Sequence, residues 1–324
     1  LPALRERIAQ KLMVFNHIEA KADGVLVTPG AKNALFLACM AVLESGDEVA
    51  LIRPCYVSNL PMLVLSAEGV LVREVDLLAG TFELDYELLD RTVTDRTRLL
   101  FLNSPHNPTG RMLSPRDIDF VAELMRKNPR LIVLSDEVYD AITPGEKKHL
   151  SIGAVPDIAD RVITVGGFSK TYFMTGWRIG YVHASRSIIG SMRSIHEHIN
   201  TDTAAFIQMA ALAALEGPQD CIVDYVRKLG ERKAVYEHCL SIAKGLRGST
   251  YEGGYFSLLD VSASGLDGDA FAVRLLEQKG VAVVPGASFS ANCAGWCRLS
   301  FVNHTDLFVE GLRRIHAQIE EMNS

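Results

Sequence analysis

The stretch VITVGGFSKTYFMTGWRIGY (residues 162–181) decides how the rest of the chain reads. It opens on a β-branched apolar run, VITV, the pattern of a buried strand. The small polar turn GGFSK follows and presents Ser169 and Lys170. Arg178 comes eight residues after that lysine, within the apolar segment GWRIGYV. A lysine in a tight turn, with a hydroxyl beside it and an arginine near, suits an amine that must bind a carbonyl next to a phosphate. Taken alone, Lys170 reads as an ordinary solvated lysine, the residue type least often placed inside. The stretches upstream change that reading.

From residue 22 to about 184, short apolar runs alternate with helix-period patterns. Strands are expected at 25–28, 48–53, 70–75, 98–103, 130–135, 162–165 and 178–183, with helices at 32–43, 59–67 and 115–126 among them. That alternation predicts an α/β layer fold with a mostly parallel sheet, whose ligands sit outside the carboxyl ends of its strands. Each polar cluster falls at such an end. TPGAK (28–32) joins a strand to a helix, where small residues let backbone approach a ligand and free N–H groups face an anion. It has neither GxxxxGK[ST] nor GxGxxG spacing, and a plain connector reads equally well. RPCY (53–56) ends a strand on Tyr56, which suits stacking on a flat ring or simple rim packing. NSPHNPTG (103–110) is a stiff turn able to aim the Asn107 amide at a ligand, or to let Asn107 cap the turn.

LIVLSDEVYD (131–140) places Asp136 just past a buried strand, followed by Glu137 and Tyr139. A carboxylate at the floor of an apolar site is costly unless a cation meets it; a helix N-cap is the plainer reading. No histidine stands at metal-ligand spacing from it, so no metal is expected. Together these residues meet the needs of pyridoxal phosphate: a lysine for an imine, an aspartate for a protonated ring nitrogen, and an arginine, a serine and a helix start for a phosphate.

Length, composition and charge bound the alternatives. At 324 residues the chain exceeds one ordinary core, and 48% hydrophobic with 22% charged residues is usual for a globular protein. A net charge of −6 argues against a nucleic-acid partner. The longest apolar run, 34–43, is too short to cross a bilayer, so no membrane partner is expected. Six cysteines without metal or framework spacing suit reduced thiols in a cytoplasm. The chain opens inside a helical pattern, LPALRERIAQKL, with Leu4, Ile8 and Leu12 on one face, so a preceding segment is expected. His196 and His198 lie two apart on a helical pattern and point to different sides, which argues against a shared metal.

In VTPGAKNAL, RPCYVSN, NSPHNPTG, LSDEVYD, GFSKTYFMTGWRIGY and the later GWCRLSF (295–301), the chain resembles the class I/II pyridoxal-phosphate aminotransferases of fold type I, in order and over essentially its whole length. The resemblance implies a large domain with a mostly parallel seven-stranded sheet and a smaller C-terminal α/β domain. The boundaries expected are 1–21 for an N-terminal helix, 22–240 for the large domain and 241–324 for the small one. Within these, a long helix is expected at 219–246, then strand, helix 267–278, strands at GVAVVPG and WCRLSF, and a final helix.

Residue by residue, the resemblance implies that Lys170 forms the internal aldimine and shifts the proton. Asp136 would meet the ring nitrogen, Asn107 and Tyr139 the phenolic oxygen, and Tyr56 would stack on the ring. Arg178, Ser169 and the backbone of Gly30, Ala31 and Lys32 would hold the phosphate. Arg298, whose forked guanidinium suits a carboxylate, would take the substrate α-carboxylate with Asn107 beside it. Gly167 stands where many relatives carry a hydroxyl residue. The activity implied is transfer of an amino group between an L-amino acid and a 2-oxo acid, in a homodimer with shared sites. A lyase, cyclase or oxidase of the same fold, or the effector domain of a regulator, stays open on the residues alone.

Overall fold

The structure, a computed structural model, describes residues 1–243 and 246–323; the parts of the expected helix 219–246 and of the 241–324 region at Lys244, Gly245 and Ser324 lie outside them. Seven strands form one sheet: β1 (Val25–Thr28), β2 (Glu48–Arg53), β3 (Leu71–Asp76), β4 (Thr97–Asn103), β5 (Ile132–Asp136), β6 (Val162–Gly167) and β7 (Gly180–His183). Their order is β1-β7-β6-β5-β4-β2-β3, with only β7 antiparallel to its neighbours. Each expected strand is present, with ends moved by one or two residues. β7 begins at Gly180 rather than at 178 because Arg178 adopts a left-handed φ of 52°, which breaks the extended run.

Period-two alternation explains why the strands read as continuous apolar runs. Leu51, Leu99, Phe101, Leu134, Ile163 and Val182 face one layer, where helix Ala31–Val42 packs Ala34, Leu35 and Ala38 on them. Ala50, Leu100, Leu102 and Val133 face the other, under Val121, Leu124 and Met125 of helix Pro115–Lys127. That second helix starts from a capping box in which the Ser114 hydroxyl accepts from the Asp117 amide and the Asp117 carboxylate accepts from the Ser114 amide. Helix Pro2–Phe15 buries Leu4, Ile8 and Leu12, the face read from the sequence, against Val25, Val27 and Tyr181.

After helix Asp220–Ile242 a second, antiparallel sheet forms from β8 (Arg247–Gly248), β9 (Phe256–Asp260), β10 (Val284–Pro285) and β11 (Trp296–Ser300), in the order β10-β11-β9-β8. The expected long helix stops at Ile242, and the strand expected over 280–286 is only two residues long. Helices Gly268–Lys279 and Thr305–Asn323 accompany this sheet, and Leu259, Phe271, Leu275, Phe301, Leu312 and Ile315 make its core. The first of them starts on the Asp267 side chain and ends at Gly280, whose φ of 65° supplies the left-handed stop.

The two sheets meet through backbone. The Gly110 carbonyl accepts from the amides of Glu252 and Gly253, both at 2.8 Å. A Cβ at Gly110 would lie 2.2 Å from the Phe256 carbonyl oxygen. The NPTG turn is therefore the seat on which β9, and with it β11, is mounted.

Candidate active site

Because β7 alone runs backwards, its first residue lies at the same sheet edge as the last residues of the parallel strands. The register pairs Gly180 with both Thr28 and Gly167, and Asn103 with Asp136. A cavity of about 390 Å³ opens at this edge. Ten of the eleven residues singled out in the sequence line it: Ala31, Lys32, Tyr56, Asn107, Asp136, Tyr139, Ser169, Lys170, Arg178 and Arg298. Gly30 stands just behind, where its missing side chain matters. A Cβ there would fall 2.4 Å from the Arg178 guanidinium, and φ is +88°, so only glycine fits.

The edge near Gly30 is shaped as an anion cradle. Helix Ala31–Val42 starts at Gly30, so the amides of Ala31 and Lys32 have no preceding helical carbonyl to meet. A Cβ at Gly180 would sit 2.4 Å from the Ala31 nitrogen, so the strand and the helix start are in direct backbone contact. Arg178 is anchored from its other side by donating to the Thr175 carbonyl at 2.8 Å.

Opposite the cradle lies Asp136. It is buried, and its carboxylate accepts from the Val138 amide at 3.2 Å. Burial pushes this carboxyl up to about 7; the neighbouring Glu137 charge adds to the rise, while the Val138 amide and Lys170 work against it. A buried carboxylate in that state is completed by a cation brought by a ligand. Lys170 lines the same cavity, its Nζ 5.9 Å from the Tyr139 ring centre and 5.7 Å from that of Tyr255. Burial raises the Tyr139 phenol well above its usual range, with Tyr255 and Asp136 contributing. For Tyr56, burial pulls upward but hydrogen bonds with Ser58 and Lys32 and the charges of Lys32 and Lys170 win, and the phenol is lowered.

Arg298 crosses from β11 into the cavity. Its guanidinium lies 4.1 Å from the Phe256 ring centre and 4.8 Å from that of Phe289, and it donates to Asn107 Oδ1 at 3.0 Å. Its buried Nε meets no acceptor, so the fork has capacity left for an anion.

Several functional positions were not read from the sequence. Asn103 donates to the Asp136 carbonyl at 2.8 Å and accepts from the Asn107 amide at 2.8 Å, tying the two site turns together. It ends a strand beside Asp136, which was the available signal. Tyr255, Phe256 and Phe289 come from parts of the chain that only the tertiary fold brings here, and no local pattern marks them. His196 and His198 are apart from this cavity, and among the described residues no cluster suits a metal.

The features fit pyridoxal phosphate: a cradle of amides with Arg178 and Ser169 for a phosphate, a buried carboxylate for a ring nitrogen, and an amine in the same cavity. The comparisons agree. Residues 1–313 match the family model for aminotransferase class I and II. The aspartate aminotransferase of Musicola paradisiaca is 34% identical over all of this chain and 81% of its own length. A probable aspartate aminotransferase of Methanocaldococcus jannaschii is 38% identical over 93% of the chain and 79% of its own. Among solved structures, the aromatic aminotransferase of Pyrococcus horikoshii superposes with a TM-score of 0.95 at 33% identity, covering 100% of this chain and 87% of that one. The Thermus thermophilus aspartate aminotransferase with maleate gives 0.90 at 33% identity, over 98% and 82%. The chain thus belongs to the class I and II aminotransferases of fold type I, and is a pyridoxal-phosphate-dependent transaminase.

Proposed function

We propose that the amino donor is a dicarboxylic L-amino acid, and that the transfer runs on the residues gathered at the sheet edge. Pyridoxal phosphate bound there supplies an electron sink for the pair released at the substrate α-carbon. Arg178, the Ser169 hydroxyl and the free amides of Ala31 and Lys32 would hold its phosphate, whereas the Gly30 amide is taken by the Thr28 carbonyl at 2.7 Å. The Asp136 carboxylate would meet its ring nitrogen, Asn107 and Tyr139 its phenolic oxygen, and Tyr56 would stack on its ring. Lys170 Nζ takes the substrate α-proton and returns it, a short transfer for an amine already inside the cavity. Arg298 takes the α-carboxylate in its fork, and Asn107 fixes the fork from behind. Gly180 matters because it lets the cradle form: Gly180→Ala is expected to weaken cofactor affinity by roughly tenfold or more, the usual scale of overpacking, measured by equilibrium dialysis.

The observation that carries the donor class is the fourth cation. Arg298, Arg178 and Lys170 each have a task, whereas the Lys32 side chain lines the same cavity with its Nζ 5.3 Å from the Tyr56 ring centre and, bonded there to the Tyr56 hydroxyl, keeps further N–H donors for an anion. A second carboxylate on the substrate is the group that would meet it, which agrees with the donor named for most of the relatives. In a half-reaction screen, dicarboxylic donors should react fastest. Lys32→Leu should lower kcat/KM for them by roughly 10–100-fold, the worth of a hydrogen bond to a charged group, while neutral donors change little. Equal loss for both donor types would remove Lys32 from donor recognition.

The same reading makes the enzyme a homodimer with shared sites. Phe173 and Trp177, on the segment leading to Arg178, are about half exposed, and Ile199, Phe206 and Met209 are exposed as well; apolar surface of this kind is covered in assemblies. A cytoplasmic place in amino-acid biosynthesis fits the cysteine usage.

A further inference from the structure

The residue after Asp136 points away from the cavity into a buried polar cluster that the transfer reaction, as described, does not use. Glu137 is 1% exposed. Its Oε1 accepts from the Ser135 hydroxyl at 2.9 Å and the Ser151 hydroxyl at 2.6 Å. Its Oε2 accepts from the Asn16 amide at 3.0 Å and lies 2.8 Å from His149 Nε2. The His149 side chain is itself buried, and among the described residues its Nδ1 meets no partner and Glu137 is its one hydrogen-bonded neighbour. Neither residue lines the cavity. The Glu137 amide donates to the Val165 carbonyl at 2.8 Å, which fixes the turn to β6.

The charges facing this cluster come from five segments. Asp136, Tyr139 and Asp140 share the turn, Lys11 and Asn16 come from the first helix and its end, His149 from the loop, Tyr181 from β7 and Lys170 from helix Phe168–Thr171. Lys11 and Asp140 pair with each other, and Asn16 also donates to Asp140 at 3.1 Å. Burial works against both charges, yet the pair holds Lys11 high and, with His149, Asp140 low. That leaves Glu137 and His149 to balance one another beside Asp136.

We propose that Glu137 and His149 are positioning residues, a buried charge-matched pair that governs how readily Asp136 offers a negative charge to the cofactor. The inference rests on Asp136 facing the cofactor's ring nitrogen. Two carboxylates on consecutive buried residues oppose each other's ionisation, because their charges act through a medium of low dielectric. The Glu137 charge is one of the influences that raise Asp136. Four donors meet the Glu137 carboxylate, and His149 is the only one of them whose side chain can carry a positive charge. The His149 hydrogen bond draws on the Glu137 charge and so blunts its repulsion on Asp136; without that bond the repulsion acts in full.

The test is cofactor affinity against pH. A protonated carboxyl cannot also face a protonated ring nitrogen, so affinity for pyridoxal phosphate falls on the acid side as Asp136 takes up its proton. Equilibrium dialysis of the apoprotein from pH 5 to 8.5 reads the midpoint of that limb. Glu137→Gln is expected to move it down by roughly 0.5–1 pH unit and His149→Leu to move it up by a similar amount, the scale of one nearby charge at an effective dielectric near 20. A purely structural pair would weaken binding in both variants without opposite shifts, and shifts of the same sign or of none would overturn the proposal. Each variant is decisive by the sign of its own shift if the other does not fold; loss of folded protein in both would assign the pair to the fold and overturn it too. Asp136→Asn separates the underlying reading: if the acid limb survives in that variant, it is the role of Asp136 that fails.

Discussion

Lys170→Ala is expected to lower turnover in amino transfer by on the order of 10⁴-fold, at the upper end of what one positioned acid–base group contributes, and to remove the visible absorbance of the bound cofactor. The two effects have separate causes. The absorbance depends on the bond between the ε-amine and the cofactor aldehyde, and the rate depends on the same nitrogen carrying the α-proton. Among the described residues, Lys32 and Lys170 are the lysines that line the cavity. Lys32 reaches the cavity from the helix start and lies over Tyr56, whereas Lys170 Nζ lies to one side of the Tyr139 and Tyr255 rings, 5.9 Å and 5.7 Å from their centres. Added methylamine is expected to restore part of the rate in the variant, since the cavity left by the side chain admits a small amine. A variant that kept both its visible band and its full rate would sink the assignment.

Asp136→Asn is expected to cost 10²–10³-fold in turnover, roughly the loss on removing one preorganised electrostatic partner, and at the same time to stabilise the apoprotein. The sign follows from linkage. Burial raises the carboxyl from 3.8 to about 7 in the folded chain. Between those values the folded state holds a proton that the unfolded state has released, so this group's contribution to stability declines as pH rises through that window and is flat above it. The full penalty, on the order of 4 kcal/mol for a shift of about three units, is present at pH 8 and absent near pH 4. An amide carries no such penalty. Denaturant unfolding of the two apoproteins should show the variant more stable at pH 8, with the gap closing as pH falls towards 4. A gap independent of pH would mean that Asp136 is not held protonated by burial.

This trade between stability and function explains which parts of the site could be read from sequence. Lys170, Asp136, Asn107 and Arg178 each stand in a recognisable strand or turn pattern; the parallel β4, β5 and β6 bring the first three to one edge, and the antiparallel β7 brings Arg178 there from its start. The seven strands were legible for the same reason: both faces of the sheet are covered, so Leu99 to Leu102 and Ile132 to Leu134 read as unbroken apolar runs. Tyr255, Phe256 and Phe289 were not legible. They reach the site because the Gly110 carbonyl binds the 252–253 backbone, more than a hundred residues away, and because Arg298 packs on the Phe256 and Phe289 rings. The partners of Glu137 were hidden likewise: Asn16 and His149 are 121 and 12 residues away. The short helix Tyr86–Thr92 escaped because it is only two turns long and is started by the Asp85 side chain rather than by a long apolar period.

The most direct test of the account is chemical. Borohydride reduction of the enzyme loaded with pyridoxal phosphate, followed by peptide mass mapping, should find the phosphopyridoxyl group on the peptide that carries Lys170 and on no other. The label on Lys32, or on no lysine at all, would contradict the claim that the amine at the end of β6 holds the cofactor.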